Sequence, residues 1–244
     1  MKKKTIFWIY LSMIIGLVLT FTEGCKKNSP QELPKDYTGQ KGTVTDIDGN
    51  IYNTIGIGTQ IWMAENLKTT KFNDGTDISF VMDSLQHSEP AYFWYNNDSN
   101  TNKNTYGALY NAFTVNTGKL APQGWHIPSE NEIYILIYFL GGSMIYNTVG
   151  GMMKTTGTIE ESTGLWHSPN TGATNSTGFS AIPGGTREGD NGAFMWISYS
   201  GLWWTTSHSP GGSPLIFFID FQSTDISVSA TDPRAGCNVR CVKN

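Results

Sequence analysis

A glycine-rich polar loop is the stretch of this sequence best suited to contact a ligand. The segment GGTREGDNG places a guanidinium and two carboxylates close together, and a tryptophan follows soon after. Polar loops that a stable core holds in place commonly carry binding function. The alternative is a solvated loop in which the arginine forms a structural ion pair. The candidate ligand-binding residues are Arg187, Glu188, Asp190 and Trp196.

The sequence lacks the residue spacings that mark the common catalytic and metal sites. The histidines are scattered at His87, His126, His167 and His208. They form neither an H-E-x-x-H nor an H-x-H arrangement, so we predict no metal site and no cofactor. No G-x-S-x-G elbow marks an activated serine, whereas paired carboxylates for glycoside hydrolysis would leave no signature. Enzymatic activity is therefore uncertain, and a protein without catalysis is favoured.

Two cysteines near the C-terminus have a spacing that disfavours a disulfide. Cys237 and Cys241 are four residues apart, about 13 Å along a strand, whereas a bridge needs Cα atoms within about 7 Å. We expect two buried thiols on one face of a last strand. A tight turn at Asn238 would instead allow a strained bridge.

The clearest element is a helix near residues 129–140. Ser129 and Glu132 form the spacing of a capping box, in which each side chain accepts a backbone N–H at the helix start. Gly141 and Gly142 supply a stop signal. The apolar residues at helical spacing are Ile133, Leu136, Ile137 and Leu140. This stripe predicts a core helix without chemistry of its own.

Short segments separated by glycine, serine and threonine surround this helix and are typical of loops and antiparallel strands. A hairpin is predicted around Gly49. The nearby Asp46, Asp48 and Asn50 suit a turn better than a calcium loop, because the glycine of such a loop would lie elsewhere. The aromatic series near AYFWY suits core packing better than a sugar-stacking platform, since alternation divides its rings between two faces.

Composition favours one globular domain of mixed or β-rich type and argues against a nucleic-acid partner. The 244 residues are 39% hydrophobic and 15% charged, and the formal net charge is -4. The sequence has no basic stripe that could neutralise phosphates. We therefore expect no binding to nucleic acid.

The N-terminus is predicted to be a bacterial lipoprotein signal. Three lysines precede an apolar run over 5–21, and Gly24-Cys25 resembles the end of a lipobox. The predicted segments are a signal peptide over 1–24, a lipidated Cys25 with a flexible tether over 25–41, and a domain over 42–244. An uncleaved membrane anchor is the alternative, for which the run is borderline in length. Because Lys26 rather than an aspartate follows the cysteine, we expect the outer membrane, on its periplasmic or cell-surface face.

A series of segments resembles one domain family. In order they are TVTDIDGNIYNTIGIGTQIWMAENL, YGALYN, GWHIPSENE, GFSAIPGGTREG, WWTTS and VRCVKN. They are similar over 43–244 to the Fibrobacter succinogenes major paralogous domain, which occurs in lipoproteins of Bacteroidota and Fibrobacterota. HIPSENE and GCNVRC in turn resemble the formylglycine-generating (sulfatase-modifying) enzymes. The resemblance implies an α+β, C-type-lectin-like fold of short antiparallel strands and loops, with one main core helix near 129–140.

The second resemblance does not extend to enzymatic activity. Formylglycine-generating enzymes bind copper through a cysteine pair upstream of their terminal strand, and this chain has no cysteine between Cys25 and Cys237. Cys241 matches the structural cysteine of that strand. The catalytic pair is therefore missing from the sequence.

Together these patterns predict a lipid-anchored extracytoplasmic binding module without catalysis. By analogy with lectin-like folds, its loops at 96–105 and 187–191 are expected to bind a cell-surface or environmental polysaccharide. One alternative is a structural or adhesive surface protein that binds another protein through exposed aromatic patches. The other is an enzyme related to the formylglycine-generating enzymes.

Overall fold

Three β-sheets join segments that lie far apart in the sequence. The computed structural model describes residues 34–82, 88–143 and 147–244. Its strands are β1 (Lys41–Thr45), β2 (Ile51–Ile57), β3 (Gln60–Met63), β4 (Ser79–Phe80), β5 (Ala91–Phe93), β6 (Leu109–Tyr110), β7 (Trp125–His126), β8 (Gly184–Arg187), β9 (Phe194–Ile197), β10 (Ser200–His208), β11 (Pro214–Asp220), β12 (Ser227–Ala230) and β13 (Val242–Lys243). The sheet orders are β1-β2-β3-β13-β7, β12-β11-β10-β8-β9 and β4-β5-β6.

The helices are few and short. Within the described ranges they are α1 (Ser99–Tyr106), α2 (Ala112–Asn116), α3 (Glu130–Phe139) and α4 (Val149–Met153). The expected α+β, C-type-lectin-like architecture is therefore wrong, and the chain has a β-rich fold. The physical reason is that its strands are stabilised by distant partners. The two-residue strand β13, for example, pairs with β3 and β7, which a local sequence pattern cannot show.

The predicted core helix is confirmed as α3. Ser129 Oγ accepts the backbone N–H of Glu132 at 3.4 Å, and Glu132 Oε2 accepts that of Ser129 at 2.8 Å, which completes the capping box. Ile133, Leu136 and Ile137 are buried against tryptophan and phenylalanine rings of the sheets. The helix therefore has the structural role that its sequence predicts.

Aromatic side chains fill much of the interior. Of the series that follows β4, Phe93, Trp94, Tyr95 and Tyr110 are buried, and Tyr92 and Tyr106 are partly buried. Core packing rather than an exposed platform is thus confirmed for these rings. A second aromatic group holds the two larger sheets together through Trp62, Trp166, Trp203 and Phe217.

The first hairpin has the predicted turn chemistry. In the β1–β2 pair, Val44 lies opposite Tyr52. The carboxylate of Asp46 accepts hydrogen bonds from the backbone N–H of Asn50 at 2.9 Å and from the Tyr52 hydroxyl at 2.5 Å. Its oxygen atoms are therefore used within the hairpin.

The folded unit begins several residues before β1. A compact unit spans Lys35–Asn244, and the backbone N–H of Tyr37 donates to the carbonyl of Gly58 at 2.7 Å. The predicted signal peptide, Cys25 and most of the predicted tether fall on residues 1–33, outside the described residues. Among the helices that are described, none has the length and apolarity to span a membrane.

Candidate functional site

Three packed aromatic rings, with an exposed tryptophan on the adjoining turn, form the candidate site, here called the aromatic surface. It consists of His167, Trp196, Tyr199 and Phe221. The rings of His167 and Tyr199 lie with centroids 4.0 Å apart, and Phe221 meets Tyr199 edge-on at 5.2 Å. Trp196 is 50% exposed and Tyr199 is 39% exposed. Large aromatic side chains normally bury their rings, so the exposed Trp196 and Tyr199 are available for contact with a partner molecule.

Backbone hydrogen bonds hold the three segments together. The N–H of Tyr199 donates to the carbonyl of Trp196 at 3.0 Å, which closes the turn between β9 and β10. The N–H of His167 donates to Ser198 at 2.8 Å, and that of Phe221 donates to Tyr199 at 2.9 Å. The sheet thus fixes the positions of residues that are far apart in sequence.

The backbone at this turn has an unusual conformation. Trp196 has φ 66° and Ser198 has φ 67°, both in the left-handed region. A bulky residue rarely occupies this region, which costs on the order of 1–3 kcal/mol. On the neighbouring strand, Gly185 also has positive φ, and a side chain there would collide with the backbone of Met195 and Ile197. The backbone at Trp196 is therefore strained, and its side chain is exposed at the surface.

A hydrogen bond joins His167 of the aromatic surface to Glu160. The imidazole Nδ1 of His167 lies 2.6 Å from Glu160 Oε1, and Glu160 Oε2 accepts the backbone N–H of Ser168 at 2.9 Å. The hydrogen bond from His167 lowers the pKa of Glu160 below its ordinary value, so this carboxylate is ionised at neutral pH. The glutamate side chain is 47% exposed. An ionised acceptor therefore stands beside exposed aromatic faces.

Arg187 lies in the interior and not on the ligand-facing side of its loop. It is 2% exposed, and its guanidinium lies 4.4 Å from the centroid of the Phe93 ring. Its backbone exchanges two hydrogen bonds with Gly236, at 2.8 and 2.9 Å. In this position Arg187 packs the core between β8 and the C-terminal segment.

The other predicted ligand-binding residues are divided along β9. Glu188 and Asp190 lie in the turn before this strand, where the Glu188 N–H donates to Ala193 at 2.8 Å. Trp196 lies near the other end of β9. Several residues separate it from Glu188 and Asp190, and each residue of a strand spans about 3.3 Å. The structure thus brings Trp196 to the aromatic surface, Arg187 to the core, and Asp190 to an exposed turn.

His167, Glu160 and Tyr199 are candidate residues that no sequence pattern indicates. The histidine belongs to no recognisable spacing, and its carboxylate partner lies seven residues away on an irregular loop. Tyr199 is distant from both in sequence. Local patterns therefore offered no signal, apart from the aromatic richness around Trp196.

The two described cysteines have no exposed reactive thiol. Cys237 and Cys241 are free and buried, as expected, and no bridge joins them. Their expected place on one face of a last strand is wrong, because the last strand comprises only Val242–Lys243. Burial raises the pKa of Cys237 to about 12 and also raises that of Cys241. Thiols in such surroundings are inert as nucleophiles. Across residues 34–82, 88–143 and 147–244, no three His, Cys, Asp or Glu side chains converge as a metal site would require.

Comparison with known proteins identifies one family. The model of the Fibrobacter succinogenes major domain matches residues 55–243. Neither a curated protein nor a solved structure matches the chain.

Proposed function

The chain belongs to the Fibrobacter succinogenes major domain family, and we propose that it is a non-catalytic module that binds polysaccharide through its aromatic surface. The observation that carries this proposal is the exposure of Trp196 and Tyr199 on one turn, where the Tyr199 ring packs on His167 of the His167–Glu160 pair. Sugar rings have apolar faces that stack on aromatic side chains and hydroxyls that need hydrogen-bond partners. The aromatic surface offers both kinds of contact.

The strained conformation of Trp196 supports a binding role. Backbone strain tends to persist at ligand sites, where the surrounding structure holds a side chain ready for contact. A preformed site loses little conformational entropy on binding, and this favours affinity. Backbone hydrogen bonds among the three segments provide that preorganisation.

We also propose that the module is attached to the outer membrane through lipid on Cys25, on its periplasmic or cell-surface face. The support is the sequence pattern of a charged start, an apolar run and Gly24-Cys25. A lipid-anchored module of this kind would hold polysaccharide close to the envelope.

Glycan-array binding by the full-length protein in a neutral detergent tests the binding proposal. We expect binding to a restricted set of glycans. Trp196→Ala should weaken it about tenfold or more, because truncation of a central aromatic contact commonly has such an effect. Tyr199→Ala should weaken it less. Tyr138→Ala is the matched control, since Tyr138 is 55% exposed on α3 and does not belong to the aromatic surface.

Asp190→Asn separates this site from the neighbouring polar turn. Because Asp190 lies at the other end of β9, we expect unchanged binding in this variant. Equal glycan binding by wild type, Trp196→Ala and Tyr199→Ala would contradict the proposed site. Circular dichroism of each variant checks that the fold is retained.

A protein partner is the second candidate, and the position of β9 favours it. This strand lies at the edge of its sheet and exposes both Met195 and Trp196. An exposed edge strand can pair with a strand of another protein. If no glycan binds, while Trp196→Ala abolishes cross-linking to an envelope protein, this second function replaces the first.

A further inference from the structure

A pocket lies apart from the aromatic surface, between α1 and the C-terminal segment. Its volume is about 190 Å³, and its lining includes Glu65, Lys68, Lys103, Ser180 and Arg240. None of the four residues of the aromatic surface lines it. The pocket is large enough for a small polar group rather than for a whole sugar chain.

Three cationic residues, Lys68, Lys103 and Arg240, are among those that line this pocket. The Lys68 ammonium lies 5.6 Å from the centroid of the Tyr52 ring, and that of Lys103 lies 5.7 Å from the Trp94 ring. Among the described residues, neither lysine forms an ion pair with a carboxylate. Both ammonium groups therefore keep their charge available to a ligand.

Arg240 borders the pocket from within the core. It is fully buried, with its guanidinium 4.5 Å from the Phe179 ring centroid and 5.6 Å from that of Trp203. It donates hydrogen bonds to the side-chain oxygen of Asn66 at 2.8 Å, to the carbonyl of Ser180 at 2.7 Å and to the carbonyl of Phe179.

All three acceptors of Arg240 are neutral, so they satisfy donors without cancelling its charge. A guanidinium has five N–H donors, and these three hydrogen bonds do not use all of them. Burial lowers the pKa of Arg240 to about 9, opposed by the nearby charge of Glu65. A buried cation without a directly paired anion is unfavourable, and an anion in the pocket would relieve this.

Glu65 is the one carboxylate among the pocket-lining residues. Its Oε1 accepts the backbone N–H of Asn53 at 2.8 Å and the amide of the same residue at 2.9 Å. These bonds hold the carboxylate toward β2. The lining thus carries three positive charges against one negative charge.

We propose that this pocket binds a small oxyanion group, a carboxylate or a sulfate, through Lys68 and Lys103, with the buried charge of Arg240 adding electrostatic attraction. The pocket adjoins a wider cleft of about 500 Å³, with which it shares Ala64, Glu65 and Ser180. A larger molecule that carries the oxyanion can therefore extend along β2. The proposal is independent of glycan binding at the aromatic surface.

Isothermal titration calorimetry of the full-length protein at constant ionic strength tests this inference. The probes are inorganic sulfate, glucuronate and, as the uncharged comparison, methyl glucoside. We expect saturable binding of at least one anion and none of methyl glucoside. Binding of sulfate alone identifies a sulfate site, and binding of glucuronate alone identifies a carboxylate site on a sugar.

Substitutions of the positive and negative residues of the pocket should change anion affinity in opposite directions. Lys68→Met and Lys103→Met should each weaken anion binding about three- to tenfold, because each removes one attractive charge at a partly exposed position. Glu65→Gln should strengthen binding, since it removes repulsion but keeps the acceptor for Asn53. Lys119→Met is the control, because Lys119 is exposed, pairs with Asp74 and does not line the pocket. Arg240 is left intact because its bonds hold the core.

Three results would overturn the proposal. They are no saturable binding of either anion, an equal loss of affinity in Lys119→Met and Lys103→Met, or unchanged affinity in Glu65→Gln. The second result would mean that only net charge attracts the anion. Thermal unfolding of each variant in the absence of anion verifies that the fold is intact.

Discussion

Lys154 is a buried cation, as are Arg187 and Arg240. Its ammonium donates hydrogen bonds to the carbonyls of Asp220 at 3.1 Å and Ser223 at 2.9 Å, and it lies 5.4 Å from the Trp166 ring centroid. The residue is fully buried. Burial lowers its pKa to about 8, and the charge of Asp220 opposes this only in part. The ammonium therefore links the end of α4 to the end of β11. Burial of its charge is electrostatically unfavourable.

The depressed pKa of Lys154 predicts a rise in its contribution to stability at alkaline pH. Below pH 8 the residue is protonated in both states, and the full penalty of burying the charge is present. Between pH 8 and 10.5 the unfolded chain binds more protons than the folded one, so stability rises with pH. Relative to Lys154→Met, the wild-type free energy of unfolding should increase by about 1–2 kcal/mol between pH 7 and pH 9.5.

Urea unfolding of both proteins at the two pH values measures this difference. The comparison cancels the titration of tyrosines, which the proteins share. Lys119→Met provides a control lysine that is exposed, and it should show no such change relative to wild type. A constant difference between wild type and Lys154→Met would mean that the buried amine titrates normally.

At the scale of single residues, the sequence showed which side chains are polar but not where they point. Arg187 was expected at a ligand surface, yet its guanidinium stacks on Phe93 because its strand is buried on both faces. Trp196, named with it as a candidate ligand-binding residue, is instead 50% exposed and has a left-handed backbone. Burial of each residue depends on strand pairing, which single-residue preferences do not contain.

At the scale of elements, the capping box of α3 predicts that substitutions of its two residues have non-additive effects on stability. Burial opposes ionisation of Glu132, but hydrogen bonds from Ser129 and His126 lower its pKa below the ordinary value. Ser129→Ala and Glu132→Ala should each destabilise the protein by about 1 kcal/mol. The double variant should lose less than the sum, because both changes break the same hydrogen-bonded unit.

Chemical denaturation of the two single variants and the double variant tests this prediction. Ser227→Ala is a matched control, since Ser227 is exposed on β12, and it should leave the free energy of unfolding nearly unchanged. Strict additivity of Ser129→Ala and Glu132→Ala would show that the two side chains stabilise the helix independently.

Elements whose hydrogen bonds are local were predictable, and those with distant partners were not. The cap and apolar stripe of α3 lie within one short stretch, so the sequence contains the whole pattern. The β1–β2 hairpin is similarly local. By contrast, β8 pairs in parallel with β10, and β13 joins β3 to β7, across long stretches of chain. These pairings produce the β-rich fold. A backbone hydrogen bond from His167 to Ser198, again between residues distant in sequence, accompanies the contact of His167 with Tyr199.

At the scale of the whole molecule, two candidate sites occur on one folded unit with different chemistry. The aromatic surface exposes rings beside a carboxylate, whereas the pocket near Arg240 gathers positive charge. An acidic polysaccharide would suit both surfaces, since sugar faces stack on rings and acidic groups pair with cations. The binding tests above, done with variants of each site, show separately which surface takes part.

Attachment to the membrane is the remaining property of the whole protein that the sequence predicts. If Cys25 carries the lipid, Cys25→Ser should move the protein from the membrane fraction to the soluble fraction. The physical reason is that each buried acyl CH₂ contributes about 0.8 kcal/mol, so loss of the chains removes the attachment. Asn28→Ser, a nearby polar change that leaves Gly24-Cys25 intact, should stay with the membrane. Mass spectrometry of the N-terminal peptide would detect the acyl groups on wild type and Asn28→Ser only. Membrane retention of Cys25→Ser with residues 1–24 still attached would instead mean that the apolar run over 5–21 is itself the anchor.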